Sequence, residues 1–140
     1  MKLTQDEKRA KIAEACGWRG ISEQFLVGYA PWRPAPYEQR VRECPADDLA
    51  SIPLDPLPDY FGCLNAMHEA EKCTALQAMG YSFAYVPNLM AVVRRDSAAT
   101  CAHLKVPLQP EEILVCCIFA TAAQRAEAFG ITLGLWKEGE

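Results

Sequence analysis

Apolar residues recur at helical spacing in three stretches of the chain. Ala10, Ile12, Ala13 and Cys16 follow the segment Thr4-Gln5-Asp6-Glu7, a capping box in which Thr4 and Glu7 each satisfy an orphan N–H, and Gly17 ends the pattern. The clearest stretch is Pro58 to Gly80. There Asp59 is placed to N-cap, Gly80 is placed to close, and Cys63, Ala66, Met67, Ala70, Cys73 and Thr74 share one face. Asn65, His68, Glu69 and Lys72 share the other face, and Gln77 is a polar intruder at the end of the apolar one. A second capping box, Thr121-Ala122-Ala123-Gln124, opens a run in which Ala126, Phe129, Leu133 and Trp136 are periodic and Gly130 allows close packing beside Phe129. The spacing predicts helices over 5–16, 59–79 and 122–136.

Other stretches read as strands. Phe25-Leu26-Val27-Gly28-Tyr29 is a short β-prone run, predicted over 24–29. Tyr81-Ser82-Phe83-Ala84-Tyr85-Val86 alternates large and small residues with period two. Pro87-Asn88 would turn the chain into a second strand, so that 81–86 and 89–95 form an antiparallel hairpin. Ile113-Leu114-Val115-Cys116-Cys117-Ile118-Phe119 is an unbroken apolar run, read as a buried strand over 112–119. Its rival is a helix, because Pro110 followed by Glu111 and Glu112 is a helix-start signal. The resulting fold class is α+β, a small antiparallel or mixed sheet packed against three main helices.

Length and composition fit one domain over 1–140 with a real core. Seven prolines between Ala30 and Pro58 make 30–58 irregular, with room for a helical turn or two around Glu38 to Arg42. Nothing approaches an apolar membrane span, and Met1-Lys2-Leu3 leads into a charged helix without a secretory h-region, so the expectation is a cytoplasmic protein of the host cell. A net charge of −4 argues against nonspecific nucleic-acid binding. Seven cysteines, odd in number and irregularly spaced, read as reduced thiols buried as small hydrophobes.

Three places invite chemistry. Cys63, His68 and Cys73 stand in a row, but five-residue steps turn His68 away from both thiols. On a continuous helix the two cysteines lie roughly 15 Å apart, too far for one zinc ion. Cys101-Ala102-His103 would offer two metal ligands if extended, with Cys44, Cys116 or Cys117 to complete the set. No third residue orients a Cys101–His103 dyad. The pair Trp18-Arg19 recurs as Trp32-Arg33, and arginine beside aromatics builds a flat cationic surface. With Tyr29, Arg94, Arg95 and His68, these are the residues read as binding a ligand or partner. No nucleophile–base set, phosphate loop or paired metal motif is present, so no catalytic residue and no cofactor is assigned.

Three segments together resemble small uncharacterised proteins of phages and prophages. They are Ile12-Ala13-Glu14-Ala15-Cys16-Gly17-Trp18; Pro58-Asp59-Tyr60 with Leu64-Asn65-Ala66-Met67-His68-Glu69-Ala70-Glu71-Lys72; and Ala120-Thr121-Ala122-Ala123-Gln124-Arg125-Ala126-Glu127-Ala128-Phe129 leading to Leu133-Gly134-Leu135-Trp136. The resemblance covers somewhat under a third of the chain and implies phage origin and a phage α/β/α-sandwich domain. It carries no activity and no catalytic residues. The expectation that follows is a non-enzymatic accessory protein that binds a host or phage macromolecule, in a role such as modulating host defence. Two alternatives accompany it: an oligomeric binder or sponge for a small nucleotide-like anion, and a zinc protein built on Cys101 and His103.

Overall fold

The computed structural model describes residues 2–31, 54–100 and 109–139. Helix α1 (Gln5–Ala15) begins at the capping box as expected: Thr4 Oγ1 accepts the Glu7 N–H, and the Glu7 carboxylate accepts the Thr4 N–H at 2.6 Å. That backbone bond, then the Thr4 side chain, holds the Glu7 carboxyl below its usual 4.5. The pair's stabilisation is therefore present above that value and is lost as pH falls through the lowered one.

Gly17, at φ +94°, reverses the chain into strand β1 (Arg19–Ser22), which pairs antiparallel with β2 (Val27–Tyr29). The short strand β3 (Asp55–Pro56) adds to the far side of β2, so the order is β1-β2-β3, all antiparallel. The predicted strand over 24–29 shortens to β2, because Leu26 takes φ +50° and closes a turn from β1. Of the proline-rich segment, Asp55 and Pro56 are strand rather than irregular, while the helical turn expected at 38–42 lies outside the described residues. Arg9 ties this region to α1, donating from Nε to the Pro58 carbonyl at 2.6 Å and from Nη2 to the Leu57 carbonyl.

The long helix expected over 59–79 is two helices, α2 (Leu64–Glu71) and α3 (Thr74–Met79). Asp59 caps a turn instead of the helix: its Oδ1 accepts the Gly62 N–H at 2.9 Å. The second interruption falls at Lys72-Cys73, where the last turn of α2 tightens to bonds from Lys72 N to Glu69 O and from Cys73 N to Ala70 O. Gln77 makes the break tolerable. Its side chain donates to the Glu71 carbonyl at 3.1 Å, so the residue that looked misplaced on an apolar face satisfies a carbonyl near the end of α2.

No hairpin forms over 81–95. Tyr81–Tyr85 is a π-helical turn that runs directly into α4 (Val86–Thr100). Tyr85, Leu89, Val92 and Val93 are buried along one helical stripe, and this spacing outweighs the alternation before it. The wide π turn also accommodates Pro87, whose ring would otherwise press on the carbonyl four residues back. Asn88, read as a turn residue, bridges helices instead, donating to Thr132 Oγ1 at 3.0 Å.

The apolar run over 112–119 is likewise helical, as α5 (Pro110–Ile118). Here the start signals prevail: Glu112 accepts the Gln109 N–H at 2.8 Å, and Ile118 and Phe119 end up exposed rather than in a sheet core. Helix α6 (Ala122–Thr132) opens with the second capping box. It ends four residues earlier than expected, because Gly134 at φ +67° turns the chain so that Trp136 folds back over Gly130.

The architecture is thus α+β as expected, a three-stranded antiparallel sheet packed with several helices. Among the described residues the sheet lies wholly in the first half of the chain, and α6 is central to the helices, touching α1, α2, α3 and α4. No helix among the described residues is long and apolar enough to cross a membrane.

Candidate functional site

The predicted contact residues do not assemble into one surface. Trp18 is only 3% exposed and belongs to the core, a correction to its reading as a displayed aromatic. The cause is Gly17, which swings the indole inward, and Gly28, whose missing Cβ leaves room for the ring against β2. Arg19 and Tyr29 face each other across the β1–β2 pair and are half-buried. Arg19 lines a depression of roughly 420 Å³ with Lys11, Glu14 and Glu23, so the charge there is mixed. Arg94 and Arg95 are exposed on α4, where Arg95 pairs with Asp96 at 3.1 Å. Neither joins Arg19 in that depression. Trp32, Arg33, Cys101 and His103 lie outside the described residues. Among the described residues, no group of three or more His, Cys, Asp or Glu side chains is placed to hold a metal ion.

His68 is exposed on the outer face of α2, as helical geometry requires. With Asn65, Glu69, Glu71, Lys72, Gln77 and Tyr81 it lines an open groove of roughly 650 Å³. Lys72 pairs with Glu69 at 2.8 Å and the nearly buried Glu71 carboxylate pairs with Arg125 at 3.0 Å, so the groove presents amide, imidazole and phenol groups beside charges that are already paired. One turn further along, Phe83 is 93% exposed and Met79 is also exposed. Both sit on the corner where α3 passes into the π-helical turn. α2 packs on α6 rather than on the sheet, so the central segment covers a helix and leaves its polar side outward.

The inner side of the same segment forms a second cavity, of roughly 640 Å³, between the end of α1 and the α2–α3 break. Its described walls are largely apolar (Ala15, Pro31, Pro58, Ala66, Ala70), with Tyr60 at its base and Glu69, Lys72 and Thr74 at its edge. Cys16 and Cys73 both line it. Contrary to the expectation of buried thiols, these two are half-buried, as are Cys116 and Cys117, and Cys63 is exposed because it precedes α2 instead of lying within it.

The two cavity thiols are neighbours and each shifts the other's ionisation, while Cys16 Sγ also lies 4.0 Å from the Ala70 carbonyl. Cys16 is pushed up, by its contact with Cys73 and by burial, and remains protonated. Cys73 is lowered to about 6. The Cys16 contact is the main cause; burial opposes it, and the Leu76 and Ala75 amides assist without closing a cap hydrogen bond. The Tyr60 hydroxyl is buried close to both sulfurs, with the Trp18 indole beside it, and it makes no hydrogen bond of good geometry among the described residues. Burial and the neighbouring thiols hold that phenol protonated.

The sequence did not signal this pair. Cys16 and Cys73 come from separate elements, and the second lies at a helix break that the continuous apolar face conceals. Ile118 and Phe119, at 71% and 78% exposure, are a further feature that periodicity missed, since they were read as core. No family model, no curated protein and no solved structure matches this chain.

Proposed function

We propose that the protein is a non-enzymatic accessory protein of the phage or prophage kind its sequence resembles, acting by binding a protein partner through the outer face of α2 and the α3–π-turn corner. The observation that carries this reading is Phe83, a large apolar side chain 93% exposed two residues along the chain from Tyr81, which lines the polar groove. Leaving such a side chain in water forgoes about 1.5–3 kcal/mol that burial against a partner would supply. Asn65, His68 and Gln77 line the groove and provide donors and acceptors suited to peptide groups, the polar component that an interface pairs with its apolar anchor. The chemistry favours a polypeptide over a phosphate backbone, because the groove's only lysine is already paired with Glu69.

Phe83→Asp tests the reading without disturbing the core. The variant is expected to melt at the wild-type temperature, yet to lose partner affinity by about 30-fold, as for an interface anchor worth about 2 kcal/mol. Parallel capture with wild type and variant, followed by titration of the recovered protein, gives the comparison. Equal affinity of the two proteins would remove the basis for this surface. Sedimentation of the wild type alone shows whether the partner is a second copy.

A further inference from the structure

Independently of the outer face, we propose that Cys16 and Cys73 form a thiol–disulfide exchange site that takes low-molecular-weight disulfides into the cavity between α1 and the α2–α3 break. Three observations place the pair there. The Ala70 carbonyl accepts the Cys73 N–H at 2.9 Å and has Cys16 Sγ at 4.0 Å, so one backbone group fixes both residues. Cys73 takes an extended conformation (φ −63°, ψ 150°) between the two helices, and from that break it lines the same cavity as Cys16. The cavity is open and mostly apolar, and Tyr60 brings to it a buried phenol that lacks a good hydrogen bond. Exposed Cys63, although also extended before a helix, and half-buried Cys116 and Cys117 do not line this cavity.

The two sulfurs have different roles. Cys73 is the attacking group: with its thiol lowered to about 6, it is largely thiolate at neutral pH. Its sulfur attacks one sulfur of R–S–S–R, the S–S bond breaks, and R–S⁻ leaves and takes up a proton. Once Cys73 is held in the mixed disulfide, its negative charge no longer opposes ionisation of Cys16. Cys16 then gives its proton to solvent and attacks Cys73 Sγ, and the second R–S⁻ leaves and is protonated. The protein dithiol is oxidised by two electrons and the small disulfide is reduced to two thiols. Because a low-pKa thiolate stabilises the reduced form, the Cys16–Cys73 disulfide is readily reduced again, which suits exchange rather than permanent cross-linking.

The test uses the full chain, oxidised glutathione as probe, acid quenching and non-reducing peptide mapping by mass spectrometry. Wild type is expected to give a Cys16–Cys73 linkage. Cys16→Ser, which keeps a hydrogen-bond donor beside Cys73, should stop at a glutathionyl adduct on Cys73. Exposed Cys63 in the same molecule is the internal reference. Near pH 6 the thiolate fraction at Cys73 exceeds that of an ordinary thiol by roughly 150-fold, and lower intrinsic nucleophilicity removes about 10- to 20-fold of this. Cys73 should therefore react about tenfold faster than Cys63. Absence of the Cys16–Cys73 linkage, or a Cys73 rate no greater than that of Cys63, overturns the proposal. The wild-type rate comparison decides the matter even if the variant folds poorly.

Discussion

Arg125→Met is expected to destabilise the protein by about 3–5 kcal/mol, the range for removing one partner of a buried ion pair. Arg125 and Glu71 meet at 3.0 Å, with side chains only 11% and 8% exposed. Glu71 Oε1 also accepts the Tyr85 hydroxyl, and Arg125 reaches the Cys117 and Ala120 carbonyls at 3.3 and 3.4 Å. Burial works against the charged guanidinium, but the Glu71 hydrogen bond and charge outweigh it and hold Arg125 above its usual value. Burial, then the Glu71 bond and charge, push the Tyr85 phenol up, so it stays a donor. Methionine leaves the carboxylate with one neutral partner in a low-dielectric site. Urea denaturation followed by circular dichroism measures the loss. Glu71→Gln combined with Arg125→Met should be less damaging than the sum of the two single changes, since the unpaired charge is then absent. Additive losses would mean that the two side chains do not act as a unit.

Gly130→Ala is expected to destabilise by about 1–3 kcal/mol, although alanine is the better helix former by about 1 kcal/mol. A Cβ at Gly130 would fall within the indole of Trp136, meeting its Cζ2, Cε2 and Cη2 atoms. Trp136 has little room to retreat: it is buried, its ring lies 5.0 Å beneath the Lys8 ammonium, and Lys8 is itself held by Glu127 at 3.1 Å. The penalty should shrink when Trp136→Leu is already present, and that coupling in a double-mutant cycle is the diagnostic result. An alanine variant as stable as wild type would show that the indole can move.

Much of the fold was legible, and what was missed has identifiable causes. Both capping boxes formed as read, because their bonds join neighbours in sequence and depend on little else. The α+β class and an antiparallel sheet also follow, but three of the four predicted strands are helical. In Tyr81–Val86 the alternation of residue size imitated a strand, although Phe83 is exposed and the residues actually buried run from Tyr85 at helical spacing. In 112–119 the apolar run pointed to a sheet, and the correct signal was the shorter one just before it, Pro110 with two acids. The thiol cavity was hidden for another reason. A helix read straight through Lys72-Cys73 carries Cys73 along its axis, whereas the actual break brings it to the cavity that Cys16 lines, and the apolar periodicity runs across that break without a gap. Gln77 was its one trace in the sequence.

Glu69 and Lys72 border both the outer groove and the thiol cavity, so the last turn of α2 is a wall common to two compartments. A displacement of that turn changes the shape of both. Whatever free energy links occupancy of the groove to the oxidation state of the cysteines must be the same in either direction. A partner that bound the disulfide form more tightly would, by the same factor, make the disulfide harder to reduce.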